Sequence, residues 1–504
     1  MDFSYPLLCA CERNGDRIAI IGGDQNISYT QLERDIAGLT TGLRAWVSPH
    51  QRVASLLLGE PETLEYYMAI ARLGAVNIPM NTRLTVEEKR YIIQDSAATV
   101  LVVDNEFLDE AEQLLQLIPN LTQVITSYPS AWPDLVSLRS QEPGITPLAT
   151  SGDDGAACSI MYTSGTTGFP KGVVRSHQAN VWNIVNSALG TPSAANDVVL
   201  FNLPIFGIGL LHFALPALLN GSTLILDRSF EPNKAWRLLE DYCVTRTFLA
   251  PTMIAAMLDI SDQESFDIST LLSIQTAYAF PERLRHRALE RFGDLFIHMY
   301  GLTEAQLTSA GMGEFAAKPA SAGRTMGVMR IRIIDETGLE VSPGETGEIS
   351  FEGPSVMSEY LNLPEQTNET IVGGWVRTGD LGCIDADGDL IYVGRSKEMI
   401  KSGGFSVDPI EVENAILRLD HVAEAAALGV ANDQWGEMVV AFVSAVDGEA
   451  LSEGDVIAVC RDVIAGYKIP KQVFVIDALP KNATGKVERG ALRRMYSQMV
   501  EQNS

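Results

Sequence analysis

Basic residues are scarce in this chain: 37 lysines and arginines stand against 64 aspartates and glutamates, a formal charge of −27 over 504 residues. A nucleic-acid-binding surface calls for the opposite sign, so that class is set aside. The acidity aids solubility and says little about fold. Cysteine is sparse too. The six, at 9, 11, 158, 243, 383 and 460, are scattered, and Cys9 and Cys11 have no matching pair downstream. Neither a zinc site nor a disulfide framework is expected, which fits a reduced, cytoplasmic setting. Long apolar runs are missing. The most apolar stretch, 203–219, contains two prolines and His212, and falls short of the ~20 residues that span a bilayer. The first residues, Met1-Asp-Phe-Ser-Tyr-Pro, have no basic n-region, so no signal peptide is expected. The chain also lacks an HExxH helix and a GxSxG nucleophile elbow.

What is present is enough apolar material, 46% of residues, for large cores. The length exceeds a single core, so roughly two to four domains are expected. Up to about 150, helical and strand patterns alternate. Residues 29–43 read as an amphipathic helix, 52–58 as a buried strand, and 66–73 as a helix ended by Gly74. Thr85 and Glu88 have capping-box spacing. Residues 197–260 repeat the alternation. Such order implies two α/β layers, each a mainly parallel sheet covered by helices. From 331 short strands alternate with Gly-rich turns, which suggests a small β-rich, barrel-like subdomain over about 320–395. The remaining residues, 396–504, suffice for a separate α+β domain.

One loop organises the rest. It runs Tyr162-Thr163-Ser164-Gly165-Thr166-Thr167-Gly168-Phe-Pro-Lys171-Gly172, between a strand pattern at 157–162 and a helix pattern at 177–189. Glycines allow close backbone approach to a phosphate. Exposed N–H groups and hydroxyls hold phosphate oxygens, and a lysine adds a point charge. This is not a Walker A loop, because Pro170 precedes Lys171 and Gly172 follows it.

The loop resembles the signature of the adenylate-forming (ANL) superfamily, which includes acyl- and aryl-CoA synthetases. Four further segments are similar to that superfamily's motifs, in its order: His298-Met299-Tyr300-Gly-Leu-Thr303-Glu304, Trp375-Val-Arg-Thr-Gly-Asp380, Gly394-Arg395-Ser-Lys397, and Leu479-Pro-Lys-Asn-Ala-Thr-Gly-Lys486. The resemblance implies that Tyr300 stacks on adenine beside His298. Thr303 bonds the α-phosphate, and Glu304, with Thr167, ligates Mg²⁺. Asp380 and Arg395 hold the ribose. Lys397 is the hinge of a mobile C-terminal domain, Lys486 completes the adenylation site, and Gly403-Gly404 line a tunnel for pantetheine. It further implies ATP and CoA as substrates, and a homodimer.

Departures from the superfamily's pattern bear on the acid. Gly207 stands where a histidine or aromatic is usual, Tyr278 lies in a segment that is usually glycine-rich, and Phe405-Ser406 follow the two glycines where Glu-Asn is common. The candidate pocket residues Trp182, Asn186, Gly207, Ile208, Tyr278 and Met299 are mainly apolar and offer no clear charged clamp for an amino group. A small or medium acyl or aryl carboxylate is therefore expected, activated as acyl-AMP and passed to CoA. The alternative acceptor is the phosphopantetheine thiol of a carrier protein. A chain of this length is expected to favour free CoA over a built-in carrier.

Overall fold

The structure is a computed structural model that describes residues 1–140, 155–163, 170–191, 193–261, 266–277, 280, 282–309, 313–396, 398–402, 405–432, 435–446, 448–481 and 487–503. Two sheets carry the N-terminal part. The larger has nine strands, in the order Arg324–Thr325, Gln306–Ser309, Phe296–Gly301, Ser273–Ala277, Arg246–Phe248, Val198–Phe201, Thr223–Leu226, Ile18–Gly22 and Gln25–Ser28. Its middle is parallel and both its edges antiparallel. Strand Ile18–Gly22 pairs parallel with Thr223–Leu226, Ile20 opposite Leu224. The second sheet has seven strands: Glu359–Tyr360, Lys171–Ser176, Ala157–Thr163, Val76–Pro79, Arg52–Leu56, Val100–Val103 and Gln123–Thr126. Every residue of Val100–Val103 is buried, as a parallel strand covered on both faces requires.

Helix boundaries follow local chemistry. Ser28 caps Tyr29–Leu43 by accepting from Gln31 N. Thr85 and Glu88 form the expected capping box on Val86–Asp95. Ser176 caps His177–Gly190 by accepting from Ala179 N. Each satisfies an N–H that the first turn leaves open. All twelve residues of Pro61–Arg72 are buried, charged ones included.

Two stretches differ from the sequence reading. The segment around the glycine-rich loop does not pass from strand straight to helix. Lys171–Ser176 is itself a strand, antiparallel to Ala157–Thr163 with Lys171 opposite Thr163, so residues 164–170 connect a hairpin. Within the alternating stretch 197–260, the helix after Phe206 opens as a π-turn over Leu210–Ala214 and becomes α-helical at Leu215–Leu219. Pro216 has no N–H to give the carbonyl of residue 212, so the i→i−4 ladder cannot run through it.

Further along, Arg330–Ile334, Gly347–Glu352, Ile371–Val372, Trp375–Ile384 and Leu390–Arg395 make a five-stranded sheet. The last sheet contains Ile400–Ser402, Phe405–Val407, Val422–Asn432, Gly436–Ala445 and Gln472–Val475. Val412 and Ile416 from one helix and Val456 and Cys460 from another share one buried cluster with that sheet. Leu492 of Arg489–Asn503 joins a second cluster with Leu428, Val440 and Phe442. This is the α+β arrangement expected of the C-terminal part. The chain divides into two compact units: Met1–Tyr278, Asp294–Ile331 and Ser350–Arg377 form the first, and Ala279–Gly293, Arg332–Ile349 and Thr378–Ser504 the second. Among the described residues, no helix is long and apolar enough to cross a membrane.

Candidate active site

In the first unit the hairpin presents Lys171 at the start of its second strand, half-buried. The short strand Glu359–Tyr360 pairs antiparallel with that strand, Tyr360 opposite Val173. This brings the Tyr360 ring under the lysine, with Nζ 5.2 Å from the ring centroid, a cation–π distance. The Tyr360 hydroxyl then donates to Glu304 Oε1 at 2.7 Å. One phenol thus joins the lysine of the loop to the acid of the second motif, although the two are distant in sequence.

Thr303 and Glu304 lie just past the strand Phe296–Gly301, in a turn that Leu302 N closes on Ala305 O at 2.8 Å. The Glu304 carbonyl accepts from Met357 N at 2.9 Å. Tyr300 is half-buried and packs against the small cluster of Ala305, Met329, Phe351 and Val376. His298 Nδ1 lies 2.9 Å from Ser321 O, so that nitrogen carries the proton and donates.

Gly172 has a different use from the phosphate approach expected of it. It is buried in the hairpin, where a Cβ would lie 2.9 Å from Ile160, 3.1 Å from Tyr162 and 3.2 Å from Leu361. Its smallness lets the hairpin close on these neighbours. Thr163 ends the first hairpin strand. Ser164, Gly165, Thr166, Thr167 and Gly168 lie outside the described residues, as do Tyr278, Lys397, Gly403, Gly404 and Lys486.

Near the expected acyl pocket is a cavity of about 30 Å³, walled by Phe3, Tyr67, Cys158, Met161, Phe206 and Gly207 among others. Gly207 is among its lining residues. Ile208 and Met299 belong to the apolar cluster around it. Asn186 is engaged elsewhere: its Oδ1 accepts from Val328 N at 3.0 Å, and Gly327 approaches so closely that a Cβ would lie 2.4 Å from that oxygen. Trp182 is half-buried on the same helix and does not line the cavity. Burial pushes the Cys158 thiol up to about 12, which leaves it an inert wall group. His212, buried on the π-turn, is pushed down to about 3 by burial and by the charge of Arg175, so it stays neutral.

In the second unit Asp380 and Arg395 are opposite one another on paired strands, with Arg395 Nε 3.0 Å from Asp380 Oδ1. Asp380 is almost completely buried, whereas Arg395 is partly open. Asp380 N bonds the Thr378 hydroxyl at 2.9 Å. On either side of residue 397, Ser396 N donates to Gly379 O at 2.9 Å and Glu398 N to Arg395 O at 3.0 Å.

Sequence reading passed over Tyr360, and it left Arg175 without a role inside the stretch that carried the strongest signal. Arg175 had one visible mark, a cation directly after the apolar pair Val173-Val174 in what proves to be a buried strand.

Comparison with known proteins identifies the family. The profile described as AMP-binding enzyme matches residues 9–361, and that described as AMP-binding enzyme C-terminal domain matches 411–486. The chain is 35% identical to an indoleacetate–CoA ligase of Aromatoleum aromaticum over 487 residues, covering 95% of each. It is 36% identical to a feruloyl-CoA synthase of an Amycolatopsis species over 483 residues, covering 95% of this chain and 96% of that one. The crystal structure of ATP-bound MatB from Rhodopseudomonas palustris superposes with a TM-score of 0.90 at 27% identity, covering 99% of this chain and 100% of that one. With both profiles matched in order and relatives aligned over nearly their whole length, the chain belongs to the AMP-binding enzyme family, the adenylate-forming superfamily of acyl-CoA synthetases.

Proposed function

We propose that this chain is an AMP-forming carboxylate–CoA ligase acting on an aryl-bearing or medium acyl acid. The observation that carries the reading is the meeting of Lys171 and Glu304 across Tyr360. A carboxylate oxygen attacks the α-phosphorus of ATP, the bond to the β-phosphate bridging oxygen breaks, and pyrophosphate leaves. The nucleophile is already deprotonated, so no general base is needed. Charge develops on phosphoryl oxygens, and fixed cations and donors there lower the barrier. In this reading Lys171 and residues 163–168 bind the β- and γ-phosphates, Thr303 the α-phosphate, Tyr300 and His298 the base, and Asp380 with Arg395 the ribose. Lys486 reaches the α-phosphate and the carboxylate.

Glu304 and Thr167 offer an oxygen-only donor set, which fits Mg²⁺, a hard cation. When bound there, Mg²⁺ would neutralise phosphate charge. In the second step the thiol sulfur attacks the acyl carbon, AMP leaves and the thiol proton is released. The domain of 396–504 would turn about Lys397 between the steps and bring Gly403 and Gly404 to the pantetheine arm. The aryl substrates named for the two relatives, the apolar wall beside Gly207 and the absence of an expected ammonium clamp together favour an arylacetate- or cinnamate-like acid.

The test follows AMP release by mass spectrometry with ATP, Mg²⁺ and pooled carboxylic acids, with and without CoA. AMP turnover that needs CoA, with a thioester mass, is expected. Acyl-adenylate that accumulates regardless of CoA would move the acceptor to a carrier protein. No AMP with any acid would end the ligase reading.

A further inference from the structure

Arg175 sits four residues past Lys171 on the same strand, and its side chain is fully buried. Among the described residues no carboxylate forms an ion pair with it. Its donors go to amide and carbonyl oxygens instead. Nε donates to Asn180 Oδ1 at 2.8 Å, and Nη1 to the carbonyls of Thr303 at 2.9 Å and Glu304 at 3.0 Å. Nη2 donates to Ser355 O at 3.0 Å, with longer bonds to Ala179 O and Asn183 Oδ1 at 3.4 Å. The network continues outward. Asn183 Nδ2 donates to Leu211 O at 3.3 Å on the π-turn, and Asn180 Nδ2 to the Ser159 hydroxyl at 3.2 Å beside the cavity.

A buried cation with no ion-pair partner among the described residues, the Glu304 carboxylate acting on it only from beyond ion-pair distance, is a costly choice for a strand interior, where valine would pack. Burial lowers the guanidinium to about 10, so it remains charged at neutral pH. The planar fork can reach two adjacent carbonyls and a third loop at once, which an ammonium on a flexible stem cannot reproduce. Its acceptors lie in the 303–304 turn, the loop at 355 and the helix after the hairpin.

We infer that Arg175 is a positioning residue of the adenylation site. It holds the backbone of Thr303 and Glu304 in fixed register with the strand of Lys171, so that the threonine hydroxyl and the glutamate carboxylate are set before the nucleotide and its Mg²⁺ arrive. The inference rests on the adenylation reading and adds a residue to it.

Arg175→Lys keeps a cation and removes the fork. Calorimetry of ATP binding over a Mg²⁺ series, with no acid present, should show half-saturation by Mg²⁺ raised roughly five- to tenfold, a loss of registration rather than of charge. ATP–pyrophosphate exchange should fall roughly 10- to 100-fold while KM for the acid moves less than about twofold. Transfer of a supplied acyl-adenylate to CoA should stay within about threefold. Asn180→Ala, a milder change that removes the acceptor of Nε, should give the same pattern at smaller amplitude and guards against a lysine variant that fails to fold. An unchanged Mg²⁺ dependence in both variants would overturn the inference. So would equal losses in exchange and transfer, the mark of general packing damage. Absence of exchange in the wild type would instead sink the ligase reading, and the calorimetry would still decide whether Arg175 sets Mg²⁺-dependent binding.

Discussion

Tyr360 is uncharged, yet two charged groups meet on it. Its ring faces Lys171 and its hydroxyl holds Glu304. Tyr360→Phe separates the two roles by keeping the ring and deleting the donor. A hydrogen bond to a charged group is worth about 1.5–3 kcal/mol, so kcat/KM for ATP in pyrophosphate exchange should fall roughly tenfold or more. Wild-type kinetics in that variant would show that the hydroxyl contact is not used. This residue illustrates why part of the site escaped sequence reading. Ser358-Glu-Tyr-Leu-Asn362 has no pattern that marks it. Its importance comes from a two-residue strand added to the edge of a hairpin far away in the chain. Lys171, Glu304 and Asp380, in contrast, sit in segments whose residue types state their chemistry.

At the scale of one element, the helix Pro61–Arg72 is the exception to amphipathic patterning. Its acids are buried with its apolar residues. Glu65 is wholly buried, with both oxygens 3.3 Å from Arg139 Nη1. Glu62 lies 3.6 Å from that nitrogen and Asp35 4.0 Å from Arg139 Nε, so three acids share one arginine. Burial pushes the Glu65 carboxyl from its ordinary 4.5 up to about 8, against the pull of Arg139. A raised acid binds its proton more tightly in the folded chain than in the unfolded one. Its contribution to stability is therefore full below pH 4.5 and is lost as pH climbs towards 8. Glu65→Gln removes that dependence. Its unfolding free energy should gain on the wild type steadily across this window, at up to about 1.4 kcal/mol per pH unit, and its melting temperature should rise with it. Parallel curves would show that Glu65 titrates normally. The helix itself was readable from its apolar spacing and from Gly74, which takes φ +68° just past its end. The buried network was not, because a lone glutamate in a helix reads as solvated until the layers around it are known.

At the scale of the whole molecule, the two half-reactions ask different things of the C-terminal part. Lys397→Pro should slow thioester formation from acyl-adenylate about tenfold or more while leaving pyrophosphate exchange within about threefold. Both half-reactions at full rate would remove the hinge from the proposal. The order of the motifs made the adenylation chemistry readable from sequence, and strand–helix alternation announced the two layered sheets. How the chain is parcelled was harder to read. Helix Glu282–Phe292 falls in the second compact unit, where Glu282 meets Arg418 at 3.2 Å and Arg283 reaches Asp420 O at 2.9 Å. Nothing local says that a helix between strands of one sheet will group with residues more than a hundred positions later.

The pairing of Ile18–Gly22 with Thr223–Leu226 has a consequence for how the protein is made. The first strand leaves the ribosome about two hundred residues before its parallel neighbour exists. At ~5–20 residues per second, that is a wait of roughly 10–40 s. Meanwhile the strands at 52–56, 76–79, 100–103 and 123–126 are all available to one another. The second sheet can therefore gather during synthesis while an apolar hairpin at the start of the chain remains without its partner. That interval is when a nascent-chain chaperone would have most to cover, and slowing translation between residues 130 and 220 should lower the yield of folded enzyme more than the same pause placed after 230.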